Sequence, residues 1–503
     1  MPRRVTTSLV ALAVLVIAAV AAACSNEESA TTTQPSTPTV PPTTATTIVP
    51  GSEPAIEPDW AWQSGRPGGD TAAAATGRLD SVVLIGEGPV EPSPTQTGTV
   101  ALSPVVATLG SADGVFRSST TAPPDGSVDQ PRGISSAVDG TTLACGSLRP
   151  DLGPQFGTDI WCSPVAADGT LQPRLGNGSE GNDEVSGVAM VGDAAYAYVS
   201  ATIDGLFPGA EDPTGGFLGE RDALLIRTDP NGQPRWARQF GTQGDDSANA
   251  VSATGDGDAV VAGSASADPF AFEDSFLRRG GRDAWAARSD PSGNQRWITP
   301  FGTSADDDAR AIAAGGDPAQ GTEAVIAAGV TNGDLQISTD GAEQLVAPGS
   351  TAAAGGTDRL IAAFDSAGRQ QWITQFGSPA DDDVRGVVVD GSVVYVAGTA
   401  GAPITGAQRV AVPGAPDGET AGGRDAFLSA YDLTTGTWQW TALFGSPADD
   451  EVTGLAFTDD GHVVVVGTTA GTITATPLAG PSDAFAVAFP VAGGGGSGAA
   501  SSV

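Results

Sequence analysis

The sequence has no lysine, one histidine and three cysteines among its 503 residues. Asp and Glu number 59 against 23 for Lys and Arg together, which gives a formal net charge of −36. Binding to phosphate backbones or anionic lipid headgroups requires basic patches, so we expect no nucleic acid partner. The acidic composition has two interpretations, simple solubility and a role in binding cations, and composition does not choose between them.

The scarcity of histidine and cysteine also limits the possible chemistry. A serine or metal hydrolase would have to work with His462 alone, which lies in a DDGH segment and which we interpret as an exposed turn residue. Cys145 and Cys162 lie on neighbouring strand-like segments, TTLACGSL and DIWCSPVA. In an exported protein such a pair is more typical of a disulfide than of a redox or metal site.

The chain begins with features of an export signal. Arg3 and Arg4 precede an uninterrupted apolar stretch from Leu9 to Val20, and residues 1–24 end in AAAC. This ending resembles a bacterial lipobox with Ala where Leu is more usual, which implies lipid attachment at Cys24 and anchoring to the cell membrane, facing the exterior or periplasm. An ordinary signal peptide that contains a cysteine is the alternative.

Two segments lack the apolar periodicity of folded structure. Residues 25–57 are mostly Thr, Pro, Ser, Ala and Val, and residues 493–503 are rich in Gly. Neither segment can bury enough surface to offset the entropy of ordering. We therefore predict a disordered tether, a folded domain over 58–492 and a disordered tail.

One sequence motif is repeated along the predicted folded domain. Its copies read RWARQFGTQGDD from Arg235, RWITPFGTSADDD from Arg296, QWITQFGSPADDD from Gln371 and QWTALFGSPADDE from Gln439. Each copy runs from a tryptophan through Phe-Gly to an acidic cluster, and an apolar run follows. Repetition at this period indicates one structural unit copied along the chain.

Each unit contains four strand-like segments. The second is apolar at nearly every position, as in Val463 to Val466, which is typical of a strand covered on both faces. Asp-Pro-x-Gly turns at Asp229 and Asp290 connect the third and fourth segments. The last unit lacks its tryptophan strand, and Trp60 to Gly65 supplies one. The sequence therefore predicts an all-β, seven-bladed β-propeller of four-stranded blades, closed by an N-terminal strand.

Aspartates recur at the start of each third strand. They are Asp159, Asp222, Asp283, Asp358, Asp425 and Asp483. The spacing varies with the preceding loop, which is longest over 331–356. Long loops on a repeating scaffold either carry binding specificity or are tolerated insertions, and both interpretations stand.

The repeat resembles the SBBP-type β-propeller repeats of bacterial exported proteins. The closest copy is RDALLIRTDPNGQPRWARQFGTQGDDSANAVSA from Arg221, with a DAF-type strand, an Asp-Pro-x-Gly turn and an acidic step into the next strand. The resemblance implies a seven-bladed propeller at the cell surface. It implies no single enzymatic activity.

One segment points to a different family. AYDLTTGTWQW, from Ala430, fits the tryptophan-docking pattern of quinoprotein dehydrogenases and of outer-membrane assembly lipoproteins. It occurs once, and the adjacent cysteines expected of a quinoprotein are missing. We therefore expect no cofactor of that kind.

Two classes of function follow from these observations. The first is a monomeric binding or scaffold module for an envelope protein or glycan, held at the membrane by its lipid. The second is a propeller enzyme, either a metal-assisted hydrolase or a quinoprotein-like dehydrogenase, although no catalytic constellation is visible.

The acidic clusters bear on metal binding. They recur where the chain enters the innermost strand of each blade, so we expect them to ring one mouth of a central channel. We expect them to hold this crossing by accepting backbone N–H groups. A further role as Ca²⁺ ligands is assigned to four candidates: Asp246, Asp307, Asp382 and Asp450.

Overall fold

The computed structural model describes residues 57–67, 69–89, 102–121, 128–149, 157–172, 175–209, 219–266, 281–316, 323–335, 345–415 and 422–491. Named elements in these ranges are all β-strands. Within the same ranges no helix is long and apolar enough to cross a membrane. The predicted signal peptide, Cys24, the tether up to residue 56 and the tail lie outside the described residues.

The first three blades are consecutive four-stranded antiparallel sheets. Blade 1 contains β2 (Thr71–Arg78), β3 (Ser81–Pro89), β4 (Leu102–Gly110) and β5 (Phe116–Thr121). Blade 2 contains β6 (Val128–Ser136), β7 (Thr142–Arg149), β8 (Asp159–Val165) and β9 (Leu175–Asn177). Blade 3 contains β10 (Asp183–Met190), β11 (Ala197–Ile203), β12 (Asp222–Thr228) and β13 (Pro234–Phe240).

Blades 4 to 6 continue the pattern. Blade 4 contains β14 (Asp246–Ala253), β15 (Ala259–Ala265), β16 (Asp283–Ser289) and β17 (Gln295–Phe301). Blade 5 contains β18 (Asp307–Gly315), β19 (Ala324–Thr331), β20 (Asp358–Phe364) and β21 (Gln370–Phe376). Blade 6 contains β22 (Asp383–Asp390), β23 (Val393–Ala400), β25 (Asp425–Asp432) and β26 (Trp438–Phe444), and the short β24 (Gln408–Arg409) pairs in parallel with β26.

The seventh blade is assembled from both ends of the domain. Its strands β27 (Asp450–Phe457), β28 (His462–Thr469) and β29 (Asp483–Pro490) are joined by β1 (Trp60–Ser64). β1 runs antiparallel to β29, with Trp60 opposite Ala488 and Ser64 opposite Ala484. The prediction of a seven-bladed propeller closed by an N-terminal strand is confirmed.

The apolar core lies between neighbouring blades. All residues of the second strand β15 are buried, as the continuous apolar run predicts for a strand covered on both faces. One core cluster combines Val260 and Phe301 of blade 4 with Ile312 and Phe364 of blade 5. Stability therefore depends on contacts between adjacent blades as well as within each sheet.

Repeat tryptophans connect one blade to the next. The Trp297 indole N–H donates to the Ser366 carbonyl oxygen of the following blade at 3.1 Å, and Trp372 donates to Leu433 in the same way at 2.8 Å. Gly368, with φ of 78°, lies beneath the Trp297 ring, and a Cβ at this glycine would be 2.6 Å from a ring atom. The repeated Trp and the repeated turn Gly are thus two sides of one contact.

Blade 2 makes this connection differently. Its fourth strand has three residues, and Cys145 and Cys162, which face each other across β7 and β8, form a disulfide with a Cα–Cα distance of 4.2 Å. The turn glycine of blade 3, Gly232, packs on Cys162, because a Cβ there would be 2.7 Å from the Cys162 Cβ. The disulfide therefore lies against the turn glycine of the next blade, the position that Trp297 and Trp372 cover at their junctions.

The prediction that His462 is an exposed turn residue is wrong. His462 is the first residue of β28 and is only 9% exposed. Its two ring nitrogens lie 3.1 Å from Asp460 and 3.1 Å from Asp59, the residue that precedes β1. The histidine links the N-terminal strand to the last blade, which the local turn sequence could not show.

Candidate functional site

A central channel is a large cavity of this structure. Its volume is about 660 Å³, and residues from the first strand of each blade line it. The first strands β2, β6, β10, β14, β18, β22 and β27 are therefore the inner strands of the ring.

Each inner strand carries a β-bulge at the same position. The pairing register with the second strand skips one residue in all seven blades. A bulge redirects the side chain of the extra residue, and here every extra residue lines the channel. In chain order these residues are Ala73, Arg132, Ser186, Asn249, Arg310, Arg385 and Thr453.

The bulged residues form a connected polar network on one side of the channel. Asn249 donates to Asp308 at 2.8 Å, and Arg310 donates to the other oxygen of the same carboxylate at 2.9 Å. Arg310 also pairs with Asp383, which accepts from Arg385 at 2.8 Å. This network ties blades 4, 5 and 6 together at the channel wall.

Electrostatics keep Arg310 charged within this network. Burial opposes the charge, but the carboxylates of Asp383 and Asp308 outweigh it and raise the pKa of Arg310. Charge-assisted hydrogen bonds of this kind are stronger and more directional than neutral ones. Blades 4 to 6 therefore present a preorganised charged surface to the channel.

The bulged residues on the opposite side of the channel include only one charged side chain, Arg132. Thr453, Ala73, Arg132 and Ser186 are the bulged residues of blades 7, 1, 2 and 3. The exposed Arg132 guanidinium donates to the Gln130 side-chain oxygen at 3.2 Å, an uncharged partner. On this side the exposed Arg132 guanidinium shares the channel wall with hydroxyl groups and with the carboxylates of Glu87, Glu184 and Glu451.

The four candidate calcium ligands lie elsewhere. Asp246, Asp307, Asp382 and Asp450 are each at most 2% exposed and do not line the channel. Asp307 accepts the backbone N–H of Thr303 at 2.7 Å, and the same i−4 bond recurs at the other three, from Thr242, Ser378 and Ser446. The acidic clusters were predicted to ring the channel mouth; of their members, Asp308 and Glu451 line the channel, whereas these four aspartates are buried beside it. Side chains alternate along a strand, so neighbours in one cluster face opposite ways.

These inner-strand aspartates face a second aspartate from the preceding blade. A Cβ on Gly241 would lie 2.6 Å from Asp222 Oδ1 and 2.8 Å from Asp246 Oδ2. A Cβ on Gly445 would lie equally close to Asp425 and Asp450. The Gly of the Phe-Gly motif is therefore required because two carboxylates converge on it.

The converging carboxylates have raised pKa values. Burial raises the pKa of Asp246 to about 7 and that of Asp307 to about 7, with the carboxylates of Asp222 and Asp283 adding to the effect. Burial raises the pKa of Asp183 and of Asp425 to about 6. Within the described ranges, no group of three or more His, Cys, Asp or Glu side chains converges as metal ligands.

Sequence reasoning missed the bulged residues, although a signal for them exists. In all seven blades an aspartate stands three positions before the bulged residue. The pairs are Asp70 and Ala73, Asp129 and Arg132, Asp183 and Ser186, Asp246 and Asn249, Asp307 and Arg310, Asp382 and Arg385, and Asp450 and Thr453. A fixed offset of three residues after this aspartate would have found them.

No family model matches the chain. The chain is similar to the regulatory protein FlaEY of Caulobacter vibrioides, with 26% identity over 226 residues, and the match covers 41% of this chain and 21% of that relative.

Among solved structures, the chain is similar to a europium-containing methanol dehydrogenase, with a TM-score of 0.39, 11% identity and coverage of 87% of this chain and 93% of the other. It is also similar to the phage phi92 endosialidase, with a TM-score of 0.42, 8% identity and coverage of 87% and 70%. Likeness at these TM-scores and identities assigns no activity or ligand to this chain.

Proposed function

We propose that this protein is a non-catalytic binding module, a seven-bladed β-propeller related to SBBP-type repeat proteins and presented on a lipid tether. The observation that carries the proposal is the ring of bulges, which directs seven side chains into one channel. Six of the seven are polar or charged. A rigid closed scaffold with polar groups converging on one opening is suited to recognition.

The charges of the channel indicate the chemistry of the partner. The chain as a whole is strongly acidic, yet three of its arginines are bulged residues: Arg132, Arg310 and Arg385. Arg310 is engaged by two carboxylates, whereas Arg132 has an amide partner. A partner that offers carboxylate or carbonyl oxygens to Arg132 would be bound, and the acidic surroundings would repel other anionic surfaces. An envelope protein or a glycan fits this description.

The binding test uses the full-length chain. Affinity capture from the native envelope is compared between wild type and an Arg132→Gln/Arg385→Gln double variant. The matched control is Arg369→Gln, since Arg369 is 80% exposed at a hairpin turn and pairs with Asp365. We expect the double variant to lose the captured partner while the control keeps it. Equal capture by all three proteins would contradict a channel-based function.

The tether is part of the proposal and rests on the sequence. The apolar stretch before Cys24 and the AAAC ending support export and lipid attachment at this cysteine. Cys24→Ala should move the protein from the membrane fraction to the soluble fraction after cell lysis. Retention of the variant at the membrane would contradict lipid anchoring.

A further inference from the structure

The junction between blade 7 and blade 1 departs from the repeat. In the four complete copies of the repeat, the Phe of Phe-Gly packs on an aromatic ring of the next blade at 5.3–5.8 Å between centroids. The pairs are Phe240 with Trp285, Phe301 with Phe364, Phe376 with Tyr431 and Phe444 with Phe489. At the seventh blade, Ser64 stands in the position of this Phe, directly before Gly65.

The loss of the Phe ring leaves a cleft between the two blades. The cleft has a volume of about 100 Å³, and its lining includes Ser64, Trp62, Phe116 and Ala107. An enclosed cavity of roughly 150 Å³ holds a benzene ring, so this open cleft of about 100 Å³ takes at most one six-membered ring, part of which stays in solvent.

A second departure lies beside the first. In blades 3, 4, 5 and 7 the corresponding inner-strand aspartate accepts a bond from a Ser or Thr hydroxyl four residues earlier, as Asp450 does from Ser446 at 3.2 Å. In blade 1 that position is Arg66, whose Nε is 3.8 Å from Asp70 Oδ1. Asp70 is 8% exposed, and its Oδ2 is buried without a hydrogen-bond partner. An acceptor of this kind is costly unless a ligand or water supplies the donor.

Aromatic side chains form the wall of the cleft. The Trp62 and Phe116 rings are nearly parallel, with an interplanar angle of 4° and centroids 6.5 Å apart. Phe116 is 48% exposed, which is uncommon for a large apolar side chain. The cleft therefore combines an apolar aromatic surface with a buried hydrogen-bond acceptor.

We propose that this cleft is a binding site for one neutral pyranose sugar ring. The C–H face of the sugar packs on Trp62 and Phe116, and a ring hydroxyl donates to Asp70 Oδ2. Ser64 and Ser119 offer hydroxyls to the remaining sugar oxygens. Asp70 and Glu87 line the cleft beside one arginine, so an acidic sugar is disfavoured. The site is distinct from the bulged residues of the channel and does not depend on their function.

The experiment measures binding of simple sugars to the full-length protein. Methyl glucopyranoside, methyl galactopyranoside and methyl mannopyranoside are titrated by calorimetry and by ligand-observed NMR. Sodium glucuronate and benzylamine are the acidic and cationic comparison ligands. We expect saturable binding of at least one neutral pyranoside, and weaker or no binding of glucuronate and benzylamine.

Two variants test the site, and one serves as a control. Ser64→Phe restores the repeat residue and should fill the cleft, so binding is lost while the melting temperature is kept or raised. Trp62→Ala should weaken binding about tenfold or more, which corresponds to about 1.4 kcal/mol. Leu206→Ala, at a side chain 57% exposed outside the cleft, should bind as wild type.

Other outcomes would overturn the assignment. These are the absence of saturable binding by every neutral pyranoside, preferred binding of benzylamine or glucuronate, and undiminished binding by Ser64→Phe. The channel variant Arg132→Gln/Arg385→Gln should bind the sugar as wild type does. If no sugar binds but envelope capture still depends on the channel arginines, only the cleft proposal is overturned. If sugar binds at the cleft but capture does not depend on those arginines, only the channel proposal is overturned.

Discussion

The junction between blades 4 and 5 and the junction between blades 2 and 3 join adjacent sheets with different chemistry. At the first, Trp297 donates to the next blade and Phe301 packs on Phe364. At the second, the Cys145–Cys162 disulfide lies against Gly232, beside a residual cavity of about 10 Å³. The repeated residues thus mark contacts between blades, and where they are lost another group occupies the contact.

The junction between blades 7 and 1 extends this comparison. It keeps the tryptophan contact, since Trp60 donates to the Ser111 carbonyl oxygen at 2.8 Å. It loses the Phe contact, and among the residues that the structure describes no other group fills the space at Ser64. Junctions that retain the repeat contribute stability, whereas this one gives up packing and gains a ligand-sized cleft.

The largest effect is expected from removing β1. Deleting residues 59–65 leaves β29 with an unpaired edge and removes the Asp59 contact of His462. Ring closure is then lost, so the domain should unfold at a much lower temperature or in more than one step. A seven-residue deletion of 497–503 is the control. Unchanged cooperative melting after the first deletion would contradict closure by β1.

Truncating a side chain should destabilise the domain more at the junction of blades 4 and 5, which keeps the Phe contact, than at the junction of blades 7 and 1, which lacks it. Phe301 is 1% exposed, and Phe301→Ala should cost about 3–5 kcal/mol because it leaves a cavity between blades 4 and 5. Ser64→Ala at the open junction should change stability by about 0.5 kcal/mol or less. Denaturant unfolding of both variants measures the difference. A similar loss in the free energy of unfolding for both variants would contradict the proposed difference between the two junctions.

The sequence was sufficient to predict the number of blades and their closure. Turn chemistry, the continuous apolar second strands and the tryptophan repeat all reflect local rules or contacts that recur at every junction. The bulged residues were missed because a bulge is defined by register with a neighbouring strand. His462 was misjudged because its partner Asp59 lies 403 residues away.

The positions of the acidic clusters also depend on contacts that the local sequence does not predict. Sequence periodicity identified Asp246 and Asp307 but could not show which face of the inner strand each one takes. The structure buries both aspartates and directs Asp308 to the channel. The convergence of Asp222 and Asp246 on Gly241 depends on contact between two blades, so it too was beyond local reasoning.

The disulfide should matter less than the ring closure. Cys145 and Cys162 are 17 residues apart, and a loop of this length is worth about 3 kcal/mol in the chain-entropy account. The Cys145→Ala/Cys162→Ala variant should melt at a lower temperature than the wild type. Reductant should lower the melting temperature of the wild type but not that of the variant. Two free thiols in the oxidised, denatured wild type would contradict the disulfide.

The paired carboxylates should make stability depend on pH. Asp246 and Asp307 have pKa values of about 7 in the folded state, against 3.8 for an ordinary aspartate. The folded state therefore binds more protons between these values, so its stability falls as pH rises from about 4 through about 7. We expect a melting midpoint several degrees higher at pH 5 than at pH 8.

Substitutions distinguish the titration of Asp246 and Asp307 from a general effect of net charge on stability. Asp246→Asn/Asp307→Asn should flatten the dependence between pH 5 and pH 8, because neither position then titrates. Asp193→Asn, at an exposed turn, removes a charge and should leave the slope nearly unchanged. An identical slope in all three proteins would show that other groups control it.

The smallest expected effect is that of calcium on the same carboxylates. Asp450 and the three equivalent aspartates already accept backbone N–H bonds, so any cation would compete with protons at pairs such as Asp425 and Asp450. Stabilisation by a ligand at a concentration equal to its Kd is about 0.4 kcal/mol. We expect millimolar calcium to raise the midpoint slightly at pH 8 and not at pH 5, at matched ionic strength. Identical midpoints in calcium and in chelator at pH 8 would contradict a calcium site and leave these aspartates as hydrogen-bond acceptors that hold each blade crossing.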